Sequence, residues 1–270
     1  MKAKNLTALL FFLLISKVAC CQVLVGATAG GNLSWMSFND SDIKDLYDIK
    51  PVIGYHFGGH VAFRVQKRFF LHTSLIYSTK GVVMEGDRDD YEIEQNLIKF
   101  SMRLNYIEMP ILYNAYFKGK IGTKVFKYSI GIGPNVSYWL GGKGTVDNSD
   151  IIEFGGEKDF KIAFNKDRTE GKEGEMVVEN PNRIQLGINL GASFMFEPAP
   201  NREIFLTVRY EFGHSYLSRG STGTFATTYY EYPLESTNQG FRLSLSYMID
   251  LRVDQRKKGK STNDHRKRKY

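Results

Sequence analysis

The chain has 270 residues, 42% of them hydrophobic and 14% aromatic, with 26 glycines against 7 prolines; this suits one β-rich domain of barrel or sandwich size. Its formal charge of +7 does not describe the body: Lys2, Lys4 and Lys17 lie in the leader, and eight Lys/Arg against Asp254 and Asp264 give the tail +6, so 7 − 3 − 6 leaves −2 for residues 22–252. A basic nucleic-acid-binding surface is thereby excluded, and no nucleic-acid partner is expected.

The first segment, MKAKNLTALLFFLLISKVACCQ, sets two lysines before an apolar run from Leu6 to Ile15 and then small residues. Residues 1–21 therefore read as a secretory signal peptide cleaved after Cys21, with a lipidated Cys20 as the alternative. Cleavage there removes both cysteines, so the mature chain is expected to carry no disulfide and no thiol chemistry.

Beyond the leader, apolar residues recur with period 2 and no stretch sustains helical spacing. Eight segments show it: 23–36, 51–65, 69–80, 105–117, 125–140, 183–196, 203–215 and 240–251. In the first, Val23, Val25, Ala27, Ala29, Leu33 and Trp35 oppose Gly26, Thr28, Gly30, Asn32 and Ser34. In 183–196, Ile184, Leu186, Ile188, Leu190, Ala192, Phe194 and Phe196 alternate with Arg183, Gln185, Gly187, Asn189, Gly191 and Ser193. Each is long enough to cross a bilayer as a tilted strand, which takes about 9 to 11 residues.

The polar faces are rich in Gly and Ser with isolated charges, among them Arg64, Lys80, Glu108, Arg209, Glu211 and Arg242. Small and polar groups suit a narrow lumen, whereas a water-exposed sheet would show more Lys and Glu. The expected fold is all-β: a closed antiparallel up-and-down transmembrane barrel of about eight strands, its apolar face on outer-membrane lipid. A soluble lipocalin-like barrel is the rival. Connections at 66–68, 119–124 and 199–202 are short; those at 38–50, 85–99, 142–181 and 220–238 are long and polar. The long ones are expected outside the cell, with both termini and the basic tail, 253–270, in the periplasm.

Parity places Val65 opposite Phe69, Phe196 opposite Ile204, and His60 opposite Ser74 and diagonal to His72. Glu108 is expected inside, neutralised by Arg209 or Arg242, in a lumen network that also includes Glu211, Arg64, His60 and His72. Pro110 lacks a ladder N–H and is expected to mark a bulge or strand bend. Trp35 and Trp139 are assigned to an interfacial girdle.

The stretch NYIEMPILYNAYF followed by SIGIGPNVSYWLGG resembles the outer-membrane barrel domain of the PorT family and its relatives, which carry an N-Y-x-E-x-P strand and a later G-x-G-P strand. The resemblance covers nearly all of 23–251. It implies the barrel fold and the outer membrane, and a role as an accessory of type IX secretion and gliding with partners in that complex.

Catalysis finds little support: His214 and Ser215 are neighbours on opposite faces of one strand, and no G-x-S-x-G occurs. The runs NDSDIKDLYD and EGDRDDYEIE lack the spacing of a calcium loop. His56, His60 and His72 share a face without a carboxylate of their hairpin, which favours hydrogen bonding over metal. Neither cofactor nor metal is expected, and an eight-stranded interior leaves no room for free diffusion. A structural or interaction protein remains: a secretion accessory, or a surface barrel with ligand- or host-binding loops.

Overall fold

The computed structural model describes residues 23–86, 97–121, 124–148, 158–164, 170–218, 222–225 and 231–251. The leader, the basic tail and most of EGDRDDYEIE lie outside the described residues. In chain order the elements are β1 (Val23–Phe38), α1 (Ser41–Leu46), β2 (Tyr47–Gln66), β3 (Phe69–Gly86), β4 (Leu97–Ile121), β5 (Lys124–Asn148), β6 (Lys158–Phe164), β7 (Glu175–Val178), β8 (Ile184–Ala199), β9 (Arg202–Gly213), β10 (Thr222–Phe225), β11 (Glu231–Pro233) and β12 (Ser236–Asp250).

Eight of the strands form a ring, β1-β2-β3-β4-β5-β8-β9-β12, each antiparallel to its neighbours. Pairing of β12 with β1, from Leu24↔Asp250 to Phe38↔Ser236, closes it. A closed ring leaves no unpaired edge, the condition a sheet must meet in hydrocarbon. The outer face carries exposed Ile, Leu, Val, Phe and Tyr all around, including Ile53, Leu75, Ile132, Leu186, Val208 and Leu245. The expected alternation is thus realised with the greasy side outward.

Parity sets the hairpins. Phe196 faces Ile204 and His60 faces Ser74, as the spacing requires. Val65 does not face Phe69: Gln66 does, Arg64 faces Phe70, and Val65 is the extra residue of a bulge before a turn at Lys67 and Arg68. The bulge absorbs one residue so that Phe63 and Leu71 stay paired on the outer face. Pro110 makes no bulge either. Pairing of β3 with β4 skips from Thr73↔Ile111 to Ile76↔Glu108 in unchanged register, so the missing N–H interrupts the ladder without an added residue.

The bulge of this region sits at the top of β5. Asn105 pairs with Gly141 and Tyr106 with Trp139, leaving Leu140 unmatched, and Gly141 adopts φ 148°. Below it odd residues of β5 point inward; above it the inward set is Gly142, Gly144 and Val146. Trp139 consequently faces inward and is 0% exposed, its indole N–H donating to the Gly141 carbonyl at 3.1 Å, so it is not a girdle residue. Trp35 does lie on the outer face, against Tyr210 and Phe241 at ring distances of 6.4 and 6.0 Å.

The strands also run through much of what the sequence assigns to polar loops. β4 and β5 have 25 residues each. At about 3.3 Å per residue that is roughly 80 Å of strand, far more than a hydrocarbon layer of about 30 Å needs. Where they project, the inward face turns apolar, and β6, β7, β10 and β11 extend the sheet over it, with β6 and β7 parallel. Met36, Phe38, Val82, Met84, Phe100, Met102, Leu104, Trp139, Phe160, Met176 and Tyr232 form one buried cluster there, with Phe100 stacked on Tyr232 at 4.4 Å. This folded cap is held by hydrophobic burial, roughly 1.5–3 kcal/mol for each large side chain removed from water.

Because Gly141 alone permits the parity switch that turns Val146 and its row inward, G141V is expected to lose about 1–3 kcal/mol of stability. Urea unfolding in detergent, followed by heat-modifiable gel mobility, measures it; an unchanged midpoint would show that the switch does not depend on glycine.

Candidate functional site

Reading β1 along its inward face gives Leu24, Gly26, Thr28, Gly30, Asn32, Ser34, Met36 and Phe38: apolar, polar, apolar. The whole interior repeats this. At the short-turn end Leu24, Ala62, Met195, Phe205 and Met248 pack together with Phe70 and Tyr116; at the long-loop end the cap core closes the lumen. Between these two apolar tiers lies the polar one, and it contains the chemistry.

Four charges from four strands meet there. Lys80 of β3 places Nζ 2.6 Å from Glu108 Oε1 and 2.5 Å from Glu211 Oε1, while Arg242 of β12 donates through one terminal nitrogen to Glu108 Oε2 at 2.7 Å and Glu211 Oε2 at 3.3 Å. Ser78 adds a hydrogen bond to Glu108 at 2.8 Å and Asn135 one to Glu211 at 3.0 Å. All four side chains are buried. Each carboxylate thus lies between a lysine and an arginine, which answers the desolvation of both signs at once. Of the two arginines the sequence offers Glu108, the structure selects Arg242. Lys80, legible as an inward charge, is the second partner that sequence reasoning did not assign.

Arg209 is brought to the same tier but not into the network. It stands directly across the β9–β12 ladder from Arg242. Among the described residues it makes no ion pair, both carboxylates being occupied. It lines a cavity of about 20 Å³ with His60, His72, Ser74, Asn114, Ser193 and Thr207. That is roughly the space of one or two waters. Arg64 lies elsewhere, at the short-turn end, donating to the Lys67 carbonyl at 3.1 Å with its guanidinium 5.9 Å from the Phe70 ring.

The histidines form a hydrogen-bonded line. Tyr116 Oη lies 2.6 Å from His72 Nε2, His72 Nδ1 3.0 Å from His60 Nε2, and His60 Nδ1 3.2 Å from Ser74 Oγ. Neutral tautomers satisfy every link in either direction, from Tyr116 through His72 and His60 to Ser74 or the reverse. His56 pairs separately with Ser244 at 2.8 Å. Among the described residues no three His, Cys, Asp or Glu side chains gather closely enough to hold a metal ion. Ser215 spends its hydroxyl accepting from the Leu186 amide at 2.9 Å, beyond the end of β9.

The network makes two substitutions differ sharply. R242M leaves Glu108 and Glu211 short of a cation in a closed interior and is expected to cost about 3–5 kcal/mol. R209M removes a like charge facing Arg242 and is expected to be neutral or stabilising. Denaturant midpoints of the two refolded variants decide it; equal losses would mean the four-charge arrangement does not hold as drawn.

A search of curated proteins finds no match to the chain. Among solved structures, the chain is similar to Neisserial surface protein A, at 11% identity over 84% of this chain and 96% of that one with a TM-score of 0.35. It is similar also to Ail, the attachment invasion locus protein of Yersinia pestis solved with the heparin analogue sucrose octasulfate, at 12% identity over 84% and 99% with a TM-score of 0.34. The outer membrane protease OmpT of Escherichia coli aligns at 6% identity over 85% and 96%, TM-score 0.29. The family described as "Outer membrane protein beta-barrel domain" matches residues 21–216, more than half of the sequence, and the protein belongs to that family as an eight-stranded barrel of the outer membrane.

Proposed function

We propose that the protein is a non-enzymatic membrane anchor which holds its folded cap at the cell surface and acts by presenting that cap to partners. The observation that supports this reading is that, among the described residues, an apolar tier lies at each end of the lumen around a salt-bridged middle. The turns at one end are tight, as at Lys67–Arg68 and Pro200–Asn201, and the first and last strands end beside them, Leu251 N–H donating to the Val23 carbonyl at 2.8 Å. Short connections belong to the periplasmic rim of such barrels, which supports a reading with both termini on the periplasmic side and the cap outside.

The resemblance to the PorT family supports, as the finer reading, a partner in the type IX secretion machinery. Its motif residues Glu108, Pro110, Gly131, Gly133 and Pro134 all sit in the barrel wall or facing the lumen, so a secretion role would be exercised by the cap or the tail. Removal of residues 256–270 addresses the tail: lost secretion with an intact barrel supports the accessory role, and unchanged secretion and partner recovery rule out docking through it.

Two measurements test the main proposal. In planar bilayers the refolded chain is expected to give no stepwise ionic current, and a steady conductance would contradict the closed lumen. In whole cells, K172C in the cap is expected to react with a membrane-impermeant maleimide; labelling only after the envelope is broken would invert the orientation.

A further inference from the structure

Among the described residues, the outward face just beyond the apolar belt carries a row of three cations. Arg103 of β4 pairs with Lys143 of β5, and Lys143 with Lys161 of β6. All three side chains are exposed. Adjacent strands are about 4.8 Å apart, and like charges directly opposite destabilise a sheet. Among the described residues no carboxylate lies within ion-pair distance of any of the three. Glu175 follows Lys161 in register on β7, with Oε2 accepting from the Lys172 amide at 3.2 Å, so the row holds three cations against one acid. The rows farther out hold no such run of cations: Ser101–Thr145–Asp159 carries one acid and no cation, and Lys99 faces Asp147 and lies 3.8 Å from Glu85, which also binds Lys50.

The height of the row is what gives it meaning. On β4 the outward apolar residues run from Ile107 to Phe117. Ten residues at about 3.3 Å, tilted by about 40°, rise roughly 25 Å, the thickness of the apolar band of an outer-membrane barrel. Arg103 is four positions beyond Ile107, roughly 10 Å higher on the same arithmetic. That is the layer of lipid headgroups. Arg183 joins the same rim, its guanidinium 4.7 Å from the Tyr138 ring centre and 4.8 Å from that of Phe164.

From this juxtaposition we propose that Arg103, Lys143 and Lys161 bind the phosphate of a phosphorylated lipid in the outer leaflet, whose acyl chains lie on Ile107, Tyr138 and Leu140 below. The apolar belt supplies the chain contact and the cation row the headgroup contact, so a single amphiphile satisfies both. The inference rests on the orientation given under Proposed function, which places this rim at the outer leaflet.

The test is native mass spectrometry of the full chain, refolded in zwitterionic detergent and supplied with lipid A or with dephosphorylated lipid A. The wild type is expected to retain lipid A in preference to the dephosphorylated form. In R103Q/K143Q/K161Q that retention is expected to fall by roughly tenfold or more. Heat-modifiable mobility verifies that the triple variant is folded; if it is not, K143Q alone is compared, with a smaller loss expected. Equal retention by wild type and variant, or of the two lipids, overturns the proposal. So does release of lipid A by equimolar inorganic phosphate, which would make the row a site for the free anion. Binding in detergent does not depend on which rim faces outward, so failure of the orientation shows only in the K172C labelling and failure of the lipid site only here.

Discussion

Closure of the sheet is the constraint from which the rest follows. A strand in hydrocarbon can leave no backbone N–H or C=O unpaired, and only a ring returns the last strand to the first, as β12 returns to β1. Once the ring is shut, side-chain alternation becomes a sorting rule. Every second residue meets lipid and must be apolar; the others share an interior about as wide as their own side chains. A charge the sequence places on a strand within the membrane therefore has to point into the lumen, where Lys80, Glu108, Glu211 and Arg242 find one another.

The polar tier shows how that is done. Lys80 and Glu108 come from the consecutive strands β3 and β4 and Glu211 and Arg242 from β9 and β12 near the other end of the chain, and their mutual contacts are available only when the ring has its correct register. Buried ion pairs contribute little net stability over an apolar core, but a misplaced one is costly. A slip of one residue on any of the four strands would send a charge to lipid. The network thus enforces register, and the apolar tiers above and below supply the cohesion. That division explains why the cap, an element beyond the membrane, is built as a continuation of the barrel wall: the inward face of β3, β4 and β5 simply changes from polar to apolar above Lys80, Tyr106 and the Gly141 bulge.

The wall was legible in the sequence because period 2 survives in each of the eight strands and the membrane makes the outer face uniformly apolar. Hairpin registers followed from parity alone where no bulge intervened, as at Phe196 and Ile204. They failed where one residue was absorbed, at Val65, since a bulge leaves no compositional mark. The interior was legible by type but not by partner: Glu108 had to be paired, yet choosing Arg242 over Arg209 and adding Lys80 requires the distances across the lumen. Trp139 misled because aromatic identity suggested an interface while its odd position, shared with Ser137 and Asn135, already pointed inward. The cap was missed for a related reason. Val82 and Met84, or Phe100 and Met102, look like loop residues when the strand is taken to stop at its last polar inward position.

Consecutive residues of these strands alternate between acyl chains and an enclosed interior. Nitroxide scanning along β8 in lipid bilayers tests it most directly, with single cysteines introduced in turn from Leu186 to Ser193 and power saturation read against oxygen and a water-soluble nickel chelate. Oxygen accessibility is expected to rise and fall with period 2, high at Leu186, Ile188, Leu190 and Ala192 and low between them, with the nickel reagent excluded from the lipid-facing set. Nickel access at Ile188 and Leu190, or oxygen access without alternation, would contradict it.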